Sequence, residues 1–137
     1  EMFVVMAELE SLCAGLAAEA MSLLERRELE RLHRALGELV KSGDPTRYAE
    51  ANERFHSAIY AGAHNGYLSE LTLATRARLA PFRRAQFSRI GRLALSFDEH
   101  DRVVEAILRG DRDLATRAMR EHIGTVKEAF DRFMEGR

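Results

Sequence analysis

Residues 96–126 read SFDEHDRVVEAILRGDRDLATRAMREHIGTV. His100, Val103, Val104 and Ile107 recur at three- and four-residue steps, as do Ala115, Ala118, Met119, His122 and Val126. That is the spacing of one buried face on each of two helices. Between them Gly110 supplies a stop, and Asp111 places a carboxylate at the next helix start. The segment therefore predicts an antiparallel helical hairpin. Ser96-Phe97-Asp98-Glu99 has the order of a capping box and predicts that the first helix of the pair opens there.

The same punctuation extends upstream. Phe3, Met6, Leu9, Leu12, Cys13, Leu16, Ala17 and Ala20 give a first amphipathic helix, and Ser22-Leu23-Leu24-Glu25 is a second capping box. Leu29, Leu32, Leu36, Leu39 and Val40 carry the next helix to Ser42-Gly43. Asp44-Pro45 then starts a third, which runs to about Ala61 before the breaker Gly62-Ala63-His64-Asn65-Gly66. A fourth covers Tyr67 to Ser88 with Pro81 inside it, where a kink or break is expected. The fold class is all-α, an antiparallel bundle of six or seven helices.

The 137 residues amount to one domain, read as 1–137 without a linker, and 46% apolar with 31% charged residues is a globular balance. Twenty-one basic and 22 acidic groups leave a net charge of -1, which excludes a bulk basic surface for nucleic acid. The single Cys13 excludes an internal disulfide, points to a reducing compartment and reads as a small core residue rather than a nucleophile. No apolar run reaches the length of a membrane span. Because Met2-Phe3-Val4-Val5-Met6 is already periodic, the segment is expected to be a piece of something longer.

Three of the five histidines lie on apolar stripes: His56 with Asn52, Ile59 and Ala63; His100 with Val103, Val104 and Ile107; His122 with Ala118, Met119 and Val126. His100 precedes Gly110 by ten residues and His122 follows it by twelve. At ~1.5 Å per residue the two stand roughly 15 and 18 Å from the turn, at nearly one height on facing surfaces. Asn52 and His56, one helical turn apart, project together. Three imidazoles and an amide oxygen make a first shell for a divalent metal, zinc first, with nickel and manganese allowed. Three unrelated core histidines are the competing reading. His33 is expected at the surface or boundary, and His64 as a solvated or capping residue.

Enzyme chemistry finds little support. Glu53-Arg54-Phe55-His56 has the spacing of a di-iron carboxylate motif, but Met119 and Phe97 stand where a repeat would need glutamate. Phosphate-loop, nucleophile-elbow and His-Glu-x-x-His patterns are absent from the sequence. Arginines cluster from Arg76 to Arg92. Helical phase groups Arg78 with Leu71, Thr75 and Phe82 on an apparent inner face, where a small carboxylate ligand would partner it. Arg83 and Arg84 flank that stripe and read as solvated or ion-paired.

The ordered set of motifs resembles the FCD ligand-binding domain of FadR-type GntR transcriptional regulators. Met6-Ala7-Glu8-Leu9-Glu10 with Leu16-Ala17-Ala18 is similar to its first helix. Asn52-Glu53-Arg54-Phe55-His56 is similar to its Asp/Asn-x-x-x-His element, and Gly62-Ala63-His64-Asn65 to the turn that follows. Glu99-His100, Ile107-Leu108-Arg109-Gly110-Asp111 and Met119-Arg120-Glu121-His122 resemble its last two helices. The resemblance implies a metal-binding effector domain of a cytoplasmic, dimeric bacterial repressor or activator, not an enzyme. It carries the ligand positions onto Asn52, His56, His100 and His122; the family often has aspartate where Asn52 stands. A DNA-binding winged helix-turn-helix is expected upstream of Glu1. The expected effector is a small carboxylate bridging the metal and Arg78. A helical dimerisation module with neither metal nor ligand is the alternative.

Overall fold

Helix α1 (Met2–Ala20) is the element around which the others assemble: it packs against α3 (Pro45–Gly62), α4 (Gly66–Ala85), α5 (Arg92–Leu108) and, most extensively, α6 (Arg112–Glu135). Helix α2 (Leu23–Ser42) lies against α3 and α5. The computed structural model describes residues 1–136, and among them there are six α-helices, one 3-10 turn at Gln86–Ser88, and no strand. The all-α bundle read from sequence is the observed fold.

The central position of α1 follows from its composition. Ser11, Cys13, Ala14, Gly15, Ala17 and Ala18 are all buried, and small side chains let neighbouring helix axes come close. Gly15 meets α6, where an added Cβ would collide with the Thr116 hydroxyl and come within 3.3 Å of Arg112 Cγ. Larger residues on the same helix, Phe3 and Met6, are buried in the core, with Phe3 edge-on to Phe82 at 6.0 Å.

The helix starts are those the sequence marks. Ser22 and Glu25 form the reciprocal capping box, at 3.1 and 3.0 Å. Asp44, Asn65 and Asp111 each accept from backbone donors of the turn they open. Gly43 and Gly110 end their segments in the left-handed region, both at φ 71°. Arg26 stitches helix ends together: its guanidinium donates to the Ala18, Met21 and Ile107 carbonyls, where α1 and α5 terminate. A cation at two C-terminal ends satisfies orphan carbonyls and complements both helix dipoles.

One expectation is corrected and another is narrowed. Helix α5 opens at Arg92, after Gly91 with φ 79°, and not at Ser96. The left-handed glycine turns the chain early enough for one more helical turn. Ser96 and Glu99 then lie inside the helix on its buried face: Ser96 accepts from the Tyr48 hydroxyl at 2.9 Å, and Glu99 reaches His122. Pro81 does not break α4, which continues to Ala85. Pro81 and Ala77, whose carbonyl loses its donor to the proline, both face solvent, where water can replace the bond.

Because alanine is favoured over glycine by roughly 1 kcal/mol inside a helix, Gly15→Ala gives opposite results in two backgrounds. In the wild type the collision with Thr116 outweighs that gain and lowers Tm. In a Thr116→Ala background the same change raises it. Equal shifts in both backgrounds would mean that α1 and α6 do not touch at this point.

Candidate metal centre

His56 on α3, His100 on α5 and His122 on α6 converge at one point in the core, all at most 3% exposed. Their Nε2 atoms face one another: His56 to His100 at 3.2 Å and His100 to His122 at 3.1 Å. One nitrogen from each ring lies within 4.8 Å of the other two.

The outer nitrogens explain why the inner ones point that way. His56 Nδ1 lies 2.7 Å from Glu10 Oε1, and His122 Nδ1 lies 2.6 Å from Glu99 Oε1. Burial works to raise the Glu10 carboxyl, but Arg83, His56 and Arg76 outweigh it and hold it well below the usual range. Glu99 is lowered as well, against its own burial, by His122 and Arg92. Both carboxylates therefore accept, so each of these imidazoles carries its proton on Nδ1 and presents a bare lone pair at Nε2. His100 stands between two such lone pairs and can donate to only one of them. Its own Nδ1 is buried without a partner.

A divalent cation at the meeting point would satisfy all three nitrogens at once. Metal–nitrogen bonds of ~2.0–2.1 Å place tetrahedral neighbours roughly 3.3–3.4 Å apart, close to the two separations of 3.2 and 3.1 Å that His100 makes. Asn52, 3% exposed and one turn before His56, also has a buried Oδ1 without a partner. The residues fit the ion that the sequence anticipates, and carboxylate–histidine pairs are the usual outer support of such sites.

The charged surroundings extend onto α4. Glu10, fully buried, accepts from Arg83 Nη1 at 2.8 Å, from Arg76 Nη1 at 3.4 Å and from the Tyr60 hydroxyl. Arg76 also grips Glu53 with Nε at 2.9 Å and Nη2 at 3.2 Å.

Arg78 is not part of this arrangement. It is exposed, beside Glu1, Met2 and Val5 in a shallow surface groove. The inward face of α4 is Leu68, Thr72, Arg76, Leu79 and Arg83, so the guanidiniums directed to the interior are Arg76 and Arg83. The apolar stripe through Leu71 is a second, outward one, and Arg78 lies on it. His33 is also corrected: it is buried, stacked 4.3 Å from Phe97, with Nε2 2.9 Å from Asp101. His64 is exposed as expected and bonds Glu25.

Sequence reasoning passed over Glu10 and Glu99, yet a signal existed. Glu10 is in phase with Phe3, Met6, Cys13 and Ala17 on the α1 stripe, and an acid in such a stripe requires a buried partner.

The FCD domain model matches residues 1–125. The chain belongs to the FCD family. Among solved structures, the FCD domain described here is similar to E. coli McbR/YncC, with a TM-score of 0.85 and 20% identity over 97% of this chain and 64% of that one. It is also similar to Streptococcus agalactiae GntR, with a TM-score of 0.79 and 22% identity over 93% of this chain and 56% of the other. The chain thus spans under two thirds of either relative, and at these identities the likeness concerns the fold. A comparison with curated proteins gives no match. Among the described residues no helix is long and apolar enough to cross a membrane.

Burial is the first cause that pushes His56, His100 and His122 below the ordinary histidine range, with nearby positive charge adding to it. The unfolded chain, with histidines near 6.5, then binds more protons than the folded one just below that pH. Stability of the metal-free FCD domain consequently falls as pH drops through about 6.5, by up to ~1.4 kcal/mol per pH unit for each histidine. Glu10 and Glu99, also lowered, steepen the loss below the ordinary carboxylate range. Urea midpoints measured from pH 7.5 to 5.0 after chelation test this, and a flat profile contradicts it.

Proposed function

We propose that this FCD domain is the metal-dependent sensing domain of a bacterial GntR-family transcriptional regulator, with a regulatory rather than enzymatic role. Asn52, His56, His100 and His122 hold one divalent ion, zinc first, with nickel or manganese compatible with imidazole donors. When bound, the ion supplies a Lewis-acidic centre with positions open to a carboxylate oxygen of a small metabolite. Glu10 and Glu99 keep the Nε2 lone pairs of His56 and His122 directed inward, and the surrounding apolar core excludes water. Binding of the effector shifts a two-state arrangement of helices, and a DNA-binding domain elsewhere in a homodimeric regulator reads that shift.

One observation carries this reading: three Nε2 atoms meet in the core, and two of them are bare because buried carboxylates accept from Nδ1 of the same rings. Without a cation that arrangement leaves facing lone pairs in a low-dielectric interior, where unmatched polar groups are costly.

Protein purified without a nickel column is expected to contain one equivalent of divalent metal, and His100→Ala with His122→Ala to contain none. Metal content unchanged in the double variant overturns the assignment. A wild type that neither carries nor takes up metal leaves the dimerisation module as the better account. Asn52→Asp, which exchanges a neutral oxygen for an anionic one, should tighten metal binding by on the order of tenfold, or about 1.4 kcal/mol. Equal or weaker affinity in a competition titration means that Asn52 does not coordinate.

A further inference from the structure

Helix α4 has a second face that the bundle does not use. Tyr67, Leu71, Ala74, Arg78, Pro81 and Ala85 follow one another at three- and four-residue steps, and all are exposed. Arg78 is the single charge among them, while Tyr67 stands 80% and Leu71 43% exposed. The same spacing on the outer face of α2 gives Arg27, Arg31, Arg34, Glu38 and Lys41, every one charged. The α2 face is what a helix turned to water normally carries. A sustained apolar stripe marks a surface made to be covered.

The stripe is continuous with part of α1. Met2 and Val5 border it across the groove that Leu71, Ala74, Thr75 and Arg78 line. Val5 is 51% exposed, and Leu12 lies exposed two turns further along the same helix. At the middle of the stripe stands Ala74, small enough to let a second helix axis come close.

Charge indicates what covers this face. Glu70 and Arg78 flank Ala74 four residues away on either side, both exposed, and neither makes an ion pair among the described residues. With an acid before the centre and a base after it, the face complements itself when turned end for end. A two-fold interface demands that property, because one patch serves on both subunits.

We propose that two copies of this chain meet here, with their α4 helices antiparallel and crossing at Ala74. Glu70 of each copy then stands level with Arg78 of the other, giving two ion pairs related by the two-fold axis. Tyr67 of one copy comes level with Pro81 of the other. The missing N–H of that proline leaves the Ala77 carbonyl open to the Tyr67 hydroxyl. Val5 and Leu12 extend the covered area beyond α4 toward that of a stable dimer. This face specifies the homodimer of the reading above and draws nothing from its metal or effector.

The test is sedimentation equilibrium of residues 1–137 over a wide range of concentration, with helical circular dichroism confirming that each variant is folded. Arg78→Glu and Glu70→Arg each set like charges against one another twice, and each should weaken the dimer by about tenfold. Combined, the two substitutions exchange the charges, and the dissociation constant should return to within about threefold of wild type. Arg34→Glu, on the charged face of α2, should leave it unchanged. A dimer that tolerates both single substitutions, or single losses that the combination does not repair, overturns the α4 pairing and leaves the homodimer standing. A wild type that stays monomeric overturns both.

Discussion

A carboxylate taken wholly out of water must be matched, because an uncompensated buried charge costs several kcal/mol. Glu10 is that carboxylate. It sits half-way along the helix that touches most others, and its two oxygens gather His56 and Tyr60 from α3 with Arg76 and Arg83 from α4. The register of three helices is thereby tied to a single pair of oxygens. A stripe of apolar residues tolerates a slip of one side chain against another; this set of donors does not. Satisfied polar networks of this kind specify one arrangement, although well-packed hydrophobic residues are often as stabilising. So much buried charge in a chain of this size is better explained by a site than by a need for stability.

The histidines divide according to how they are held. His56 and His122 are fixed by carboxylates, which set both the ring orientation and the tautomer. His100 has no such support at Nδ1. Its ring is instead stacked on Phe55 at 4.5 Å, and Phe55 leans on His33, which stacks on Phe97. This row of rings leads from the cluster to Asp101 at the surface. His100 is thus positioned by packing, and its place depends on how α2, α3 and α5 fit together.

Much of this was legible in the sequence, for identifiable reasons. Helix ends were readable because they are made by local chemistry: Ser22 with Glu25, Asp44 with Pro45, Gly110 with Asp111. The meeting of His100 and His122 followed from counting residues about one turn. What was not legible depends on relations across the bundle. Ser96 and Glu99 satisfy a local pattern equally well as a cap or as inward-facing partners, and only the position of Gly91 decides between them. Arg78 and Arg83 lie on two candidate faces of α4, and hydrophobicity favours the wrong one. The inner face of that helix carries charge because Glu10 waits opposite it, on a helix distant in sequence.

The same constraint limits how the domain can move. His56 and Arg83 draw on different oxygens of one carboxylate, so a shift of either changes what the other can keep. Glu10 cannot be left unpaired, and α1 must therefore follow any rearrangement of α3 or α4 at this level. On the far side Glu99 shares one oxygen between His122 and Arg92, so α5 and α6 are bound by the same rule. Changes at the histidine cluster are consequently transmitted through two carboxylates to five helices, with α1 the helix that touches the other four. Rigid charge pairing, rather than soft apolar packing, makes the response of such a core discrete.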